Sequence, residues 1–379
     1  MLTTKGYSKA SASFFILIFT AGLLVGGILI YYANFRQINS LNEQLLELQS
    51  NVLALQGTQN ATYQEITIIQ NGTSLADIYS NVRQSVVLIQ GETNDGSVQG
   101  SGFVYYAEGR NVILTNYHVV EDTTSLSVTF YDGMGYSATI LGTDPYSDLA
   151  VLSVNDVPES KFKPLTIVSS STLREGEQVI AIGNPYGLVG SLTTGVVSAL
   201  GRTITEDTTG GFSIANIIQT STPINPGNSG GPLLNAVGNV VGITTAIVSD
   251  SQGLGFAIPS NTILREISTL ITTGTYRGHS YLGVTGRDMS YDLAQEIGSS
   301  VTYGWQIASV TRGAPSDGKL SVGDIVIALD VQTITNNDGL ASYLEENTMP
   351  GDTLIITVIR GNEQVDVSVI LGTRPSPNT

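Results

Sequence analysis

The first pattern along the chain is an unbroken apolar run, FFILIFTAGLLVGGILIYYA at residues 14 to 33, without a charged side chain. At 1.5 Å rise per residue it is long enough to cross a hydrocarbon core of about 30 Å. Lys5 and Lys9 precede it, and Tyr31 and Tyr32 stand where an interfacial aromatic belt lies. The run is long for the apolar core of a signal peptide, and no clear small-x-small cleavage site follows it. The expectation is an uncleaved transmembrane anchor over 14–33, with a cytoplasmic tail at 1–13 and the bulk of the chain outside. Gly22 and Gly26 form one small-xxx-small pair, weak evidence on its own.

The period then changes. Ile38, Leu41, Leu45, Leu48, Val52 and Leu55 repeat at spacings of 3 and 4, a heptad seam that predicts a helix over 34–57. A short coiled coil fits this seam better than a lone amphipathic helix and implies self-association. A polar linker, 58–74, carries the sequons Asn60-Ala-Thr62 and Asn71-Gly-Thr73, which fit an external location. From about residue 75 short alternating segments recur between Gly, Asn and Pro turns: SVVLIQG, GSGFVYYA, NVILTN, LSVTFYD, LAVLSV, QVIAIG, TTGVVSAL and LGFAIP. Many short strands so spaced predict an all-β sandwich or barrel. NTILREISTLITTG closes this unit as a helix, giving a domain over 75–274. A second unit of mixed strands and two short helices follows over 275–372, with a tail at 373–379.

Composition narrows the chemistry. With 16 basic against 32 acidic side chains, a net charge of −16 leaves no basic footprint for nucleic acid. The chain has no cysteine, so disulfides, thiolate metal sites and cysteine nucleophiles are excluded. Two histidines, His118 and His279, rule out a site of several imidazoles, and any histidine base is one of the two. No phosphate-cradling loop appears, so no nucleotide is expected; neither a metal nor another cofactor is expected either.

In VILTNYHVVED an apolar strand ends at Thr115-Asn116 and His118 stands just beyond it, a rigid place from which to aim a side chain. In DPYSDLAVLSV, Asp148 immediately precedes an apolar strand; alone it would be an acidic turn residue, and Asp144, Asp132 and Asp122 compete with it. INPGNSGGPL, 224–233, sets Ser229 in a tight turn. A serine hydroxyl attacks a carbonyl only when an imidazole takes its proton, and the imidazole needs a carboxylate to fix its tautomer. Glycines on both sides let the N–H groups of Gly227 and Ser229 converge on a developing oxyanion.

TNYHVV, SDLAVL and GNSGGPL, in this order in a multi-stranded β domain, resemble the HtrA/Deg family of trypsin-fold serine proteases. AIGNPYGL (181–188), TTGVVSALGR (193–202), QTSTPINPGNSGGPL (219–233) and GLGFAIPSN (253–261) match further, and YLGV (281–284) resembles the carboxylate-binding loop of a PDZ domain. The resemblance covers roughly 75–372. It implies a mainly β chain: a chymotrypsin/trypsin-like double β-barrel followed by an α+β PDZ domain. His118 would be the general base, Asp148 its orienter and Ser229 the nucleophile, with Gly227, Asn228 and Ser229 forming the oxyanion loop. Ile224, Gly253, Leu254, Gly255 and Phe256 would wall a small apolar pocket and pair with substrate backbone. Tyr281, Leu282, Gly283 and Val284 would hold a peptide C-terminus, with the helix over Asp338 to Asn347 lining the groove.

The activity implied is ATP-independent cleavage of unfolded or misfolded proteins outside the cytoplasmic membrane by a homotrimer or larger homo-oligomer. The alternative is a chaperone or peptide-binding protein whose proteolysis is secondary or silent. Two departures stand out. The segment from Tyr131 to Thr139 is too short for the inhibitory loop some relatives carry there, and a membrane anchor with a heptad helix is not universal in the family. His279, just ahead of YLGV, is assigned to the interdomain junction and not to catalysis.

Overall fold

Twelve strands, eight of them in the alternating segments named above, close into two six-stranded antiparallel barrels, as the computed structural model of the chain shows. It describes residues 36–37, 74–184, 190–205, 213–225, 227–245 and 254–376. The chain divides into two compact units, Met1–Ile68 and Ile69–Thr379, and the barrels belong to the second. The expected anchor at 14–33 lies outside the described residues. So does the expected heptad helix, apart from Arg36 and Gln37, which are helical. Among the described residues no helix is long and apolar enough to cross a membrane.

The first barrel contains β1 (Val86–Thr93), β2 (Gly96–Ala107), β3 (Arg110–Thr115), β4 (Thr123–Thr129), β5 (Gly135–Asp144) and β6 (Leu149–Val154), in the order β1-β2-β3-β6-β5-β4. The second contains β7 (Gln178–Gly183), β8 (Ser191–Thr205), β9 (Ser213–Thr220), β10 (Pro232–Asn235), β11 (Val240–Thr245) and β12 (Gly255–Pro259), in the order β10-β11-β12-β9-β8-β7. Closure leaves neither sheet a free edge. Their buried apolar side chains form separate cores, with Ile113 and Leu152 in that of the first barrel and Leu233 in that of the second, while Phe103, Ile180 and Ile217 join a core that both barrels share with the flanking helices. Each of these side chains contributes about 1.5–3 kcal/mol relative to exposure.

Helix α1 (Leu75–Val82) precedes the first barrel, where the alternation alone predicted strands. Ser74 caps it, the Ser74 hydroxyl accepting from Asp77 N while the Asp77 carboxylate accepts from Ser74 N, and Ile78 and Val82 reach the core. Helix α2 (Ser260–Thr273) closes the second barrel as expected and ends on Gly274 in the left-handed conformation, φ 82°.

The last third of the chain has its own core around Trp305, Ile307, Leu329, Ile356 and Val358. It contains β13 (Ser280–Tyr281), β14 (Val284–Asp288), helix α3 (Tyr291–Ile297), β15 (Trp305–Val310), β16 (Ile325–Leu329), β17 (Gln332–Thr333), helix α4 (Asn337–Asn347), β18 (Thr353–Arg360), β19 (Glu363–Ile370) and β20 (Gly372–Thr373). The main sheet runs β14-β15-β16-β18-β19, so β14 is an edge strand. Helix α4 also docks on the second barrel. Asp338 accepts from Thr203 N (2.9 Å) and Arg202 Nη1 (3.1 Å), Ser342 Oγ donates to Gly201 O (3.0 Å), and Asn216 Nδ2 donates to Glu346 Oε1 (2.7 Å).

Candidate active site

The first barrel supplies the histidine and the aspartate from neighbouring strands. His118 follows β3 and Asp148 precedes β6, and these strands pair through Leu114↔Val151 and Thr115↔Ala150. The His118 Nδ1 meets both Asp148 oxygens, at 3.0 Å to Oδ1 and 2.9 Å to Oδ2. The His118 backbone N–H donates to Oδ1 at 2.9 Å, and the Thr245 hydroxyl at the end of β11 donates to Oδ2 at 3.1 Å. The Asp148 side chain is 1% exposed, whereas the His118 side chain is 26% exposed. The carboxylate is thus fixed from several sides while the ring keeps a solvent-facing edge.

The geometry also separates Asp148 from its competitors. Asp144 is buried but bonds to His279, Asp132 pairs with Lys161, and Asp122 lies exposed on its turn. Asp148 adopts the left-handed conformation at φ 49°, which costs a non-glycine residue energy and requires surrounding support. Its carbonyl accepts from Tyr117 N and Asn116 Nδ2, both at 3.1 Å.

Ser229 comes from the second barrel on the turn before β10, and its backbone reaches the first. Its carbonyl accepts from Ser101 N on β2 at 2.7 Å. Gly230 sits at φ 84°, and a Cβ there would stand 2.1 Å from Ser101 O and 2.3 Å from Thr115 Oγ1, so only glycine fits. Thr115 lies three residues ahead of His118, so this seat carries Ser229 to the side of the cleft that holds the histidine. Gly227, at φ 94°, directs its carbonyl to the Ser101 hydroxyl at 2.6 Å. The Asn228 N–H donates to Asn225 O at 2.9 Å, so of the three residues in this loop it is not available to an oxyanion.

Of the expected pocket residues, Gly253 lies outside the described residues. Ile224 is half-buried and abuts Gly255, where a Cβ would meet Ile224 Cγ1 at 2.8 Å. Leu254 is exposed. Phe256 packs into the core, and its backbone pairs with Gln219 on one side and Thr245 on the other. Commitment on both sides continues through Ala257, so these residues cannot take an added strand. In the second domain, Gly283 adopts φ 77° against Ala314, Leu282 is buried, and Tyr281 and Val284 flank them at the open end of β14.

Thr245 is the site residue the sequence did not announce. Its hydroxyl reaches Asp148 across 97 residues of chain, and only the closure of the second barrel brings it there. Next to the histidine, burial and the neighbouring Glu121 push the Tyr117 hydroxyl up to about 12, which keeps it neutral beside His118.

Two barrels contributing one His–Asp pair and one serine turn define the trypsin-like class of peptidase, here extended by a PDZ-type domain. The Trypsin-like peptidase domain family matches residues 100–243, and the PDZ domain family matches residues 280–371. The serine protease Do-like HtrA of Bacillus subtilis is 38% identical over 293 residues, covering 74% of this chain and 64% of that protein. A probable periplasmic serine endoprotease DegP-like of Chlamydia trachomatis is 37% identical over 284 residues, covering 74% and 55%. The chain therefore spans between about half and two thirds of the length of these curated relatives. Among solved structures, the HtrA-type protease AlgW with tripeptide is similar at TM-score 0.65 and 33% identity, over 80% of this chain and 99% of that one. The chain belongs to the HtrA-type serine proteases.

Proposed function

We propose that the chain is an ATP-independent serine endopeptidase that cleaves unfolded or misfolded proteins outside the cytoplasmic membrane. The observation that carries this reading is the two-point grip of Asp148 on His118 Nδ1, beside a serine turn seated on the same barrel. Asp148 fixes the tautomer in which Nδ1 carries the proton, leaving Nε2 as the base for Ser229 Oγ. Ser229 Oγ attacks the scissile carbonyl, and its proton passes to His118 and then to the leaving amine. Water, deprotonated by His118, releases the acyl group from Ser229. With the Asn228 N–H engaged, the N–H groups of Gly227 and Ser229 are the donors for the oxyanion, each worth about 3 kcal/mol.

Ile224 against Gly255 forms a small apolar wall, which favours a small aliphatic side chain before the cut. In the protease domain at 75–274, substrate must lie extended in the cleft, which a folded protein cannot offer. In the PDZ domain at 275–372, the unpaired edge of β14 and the Tyr281–Val284 turn fit a C-terminal peptide that adds one strand beside α4. The apolar run at 14–33 and the heptads at 34–57 support a single-pass anchor and a homotrimer or larger assembly.

The test is incubation of the full-length chain with one protein in folded and in unfolded form. The unfolded form should be cut and the folded form spared, and Ser229→Ala should cut neither. Suppressed aggregation without cleavage, by the wild-type chain, would favour a chaperone and overturn the enzyme reading.

A further inference from the structure

The turn that carries Asp148 is held from outside the barrel by a buried polar cluster. Asp144, four residues before Asp148, accepts from Tyr146 N through Oδ1 at 3.0 Å, and its Oδ2 meets His279 Nε2 at 2.6 Å. The other ring nitrogen, Nδ1, meets Glu345 Oε2 on α4 at 3.1 Å. Ser147, directly beside Asp148, donates its hydroxyl to Glu266 Oε1 on α2 at 3.0 Å. Tyr146 donates to Pro375 O, and its ring packs edge-on against His279 at 5.3 Å. Every residue from Asp144 to Ser147 except Pro145 is therefore tied to α2 or to the PDZ side of the junction.

The cluster is close to charge balance. Arg265 donates to Glu266 (2.8 Å) and to Glu345, and the Arg374 guanidinium lies 3.7 Å from Glu345 and over the Tyr146 ring. Burial alone would lower the His279 pKa, but the Asp144 charge and the bonds to Asp144 and Glu345 push it up to about 10. Burial and the Asp144 charge raise the Glu266 carboxyl well above its usual range, and its Oε2 has no hydrogen-bond partner among the described residues. Asp144, Glu266 and His279 also come within 4.8 Å of one another, the spacing of a cation site. Both His279 nitrogens are already engaged, however, and the Arg265 guanidinium adjoins, so the group is complete without a metal.

We propose that His279 is a positioning residue for the triad: acting through Asp144, and together with Glu266 acting through Ser147, it holds the left-handed turn that aims Asp148 at His118. The inference rests on the triad reading above. A residue at φ 49° needs such over-determination, and among the described residues the Asp148 backbone bonds within the barrel to Asn116, Tyr117 and Pro145. On this account the PDZ side contributes to the geometry of the active site through one imidazole.

The test uses the full-length chain, with kcat and KM on an unfolded protein normalised to sites labelled by a serine-reactive phosphonate. His279→Ala should lower kcat about tenfold while KM changes less than about twofold, and His279→Gln, which can still donate to Asp144, should recover part of the loss. The acid limb of kcat/KM should move to lower pH, because a displaced Asp148 stabilises the His118 cation less. A merely structural role would reduce the number of labelled sites without moving that limb. The double variant His279→Ala/Asp144→Asn should lose no more than the worse single variant. An unchanged kcat and acid limb in folded His279→Ala, or a double variant that loses the product of the single losses, would overturn the proposal. If His279→Ala does not fold, Ser147→Ala takes its place: a few-fold fall in kcat supports the proposal and an unchanged kcat sinks it. Asp148→Ala run in parallel separates the two claims, since full activity there would refute the triad itself.

Discussion

Asp148 has no freedom to rotate: its two oxygens accept from His118 N, His118 Nδ1 and Thr245 Oγ1, all within 3.1 Å. Replacing the carboxylate by an amide would put a donor where the imidazole must donate, reversing the His118 tautomer. Asp148→Asn should therefore reduce kcat by about 10⁴-fold with little change in KM, measured by steady-state cleavage of an unfolded protein. Thr245→Val removes one hydrogen bond to a buried charge but no charge, and should cost about tenfold in kcat. Both partners of this carboxylate illustrate what a sequence can reveal. His118 and Asp148 stand next to strand ends whose apolar patterns mark them as candidates, but their neighbours alone left Asp148 in competition with Asp144, Asp132 and Asp122. Thr245 sits in a run of buried strand residues and gains its role only from the barrel's register. The His279 contacts were equally hidden, because His279 meets Asp144 across 135 residues and Glu345 across 66.

At the scale of elements, short apolar runs between turn residues identified the strands, and many of them, such as β7, β11 and β12, are buried on both faces. That signal failed at α1, where eight residues are too few for a helical period to stand out against neighbouring strands. The capping box was the readable signal: Ser74 and Asp77 lie three apart ahead of an apolar Leu75, Ile78, Val82 spacing. Ser74→Ala should remove about 1 kcal/mol from the protease domain and lower its melting temperature by about 2–4 °C, checked by thermal unfolding at neutral pH. Activity per folded molecule should be unchanged, since α1 is anchored in the core through Ile78 and Val82. The pocket expectation failed in one place for a related reason. GLGFAIP reads as a strand, but not which of its residues both neighbours claim, and Phe256 proves to be core.

For the whole molecule, the junction between the barrels and the PDZ domain sets how stability follows pH. His279 is raised from 6.5 to about 10 on folding, so its contribution is fully present below about pH 6.5 and is lost as pH rises through about 10. Glu266, also raised, loses stability in the same direction above about 4.5. Asp144 and Glu345, which His279 holds low against the effect of burial, contribute above their ordinary range and lose it as pH falls. Thermal unfolding should therefore show a decline in melting temperature from pH 6.5 to 10 that His279→Gln flattens. An equal decline in both proteins would locate the effect elsewhere. The central claim, however, is that Ser229 is a nucleophile made reactive by His118 and Asp148. Its most direct test is exposure of the full-length chain to a serine-reactive phosphonate, followed by mass measurement of the intact protein and its peptides. One adduct per chain on Ser229, absent in His118→Ala, is the predicted result. No adduct on the folded wild-type chain, or an adduct that persists without His118, would contradict it.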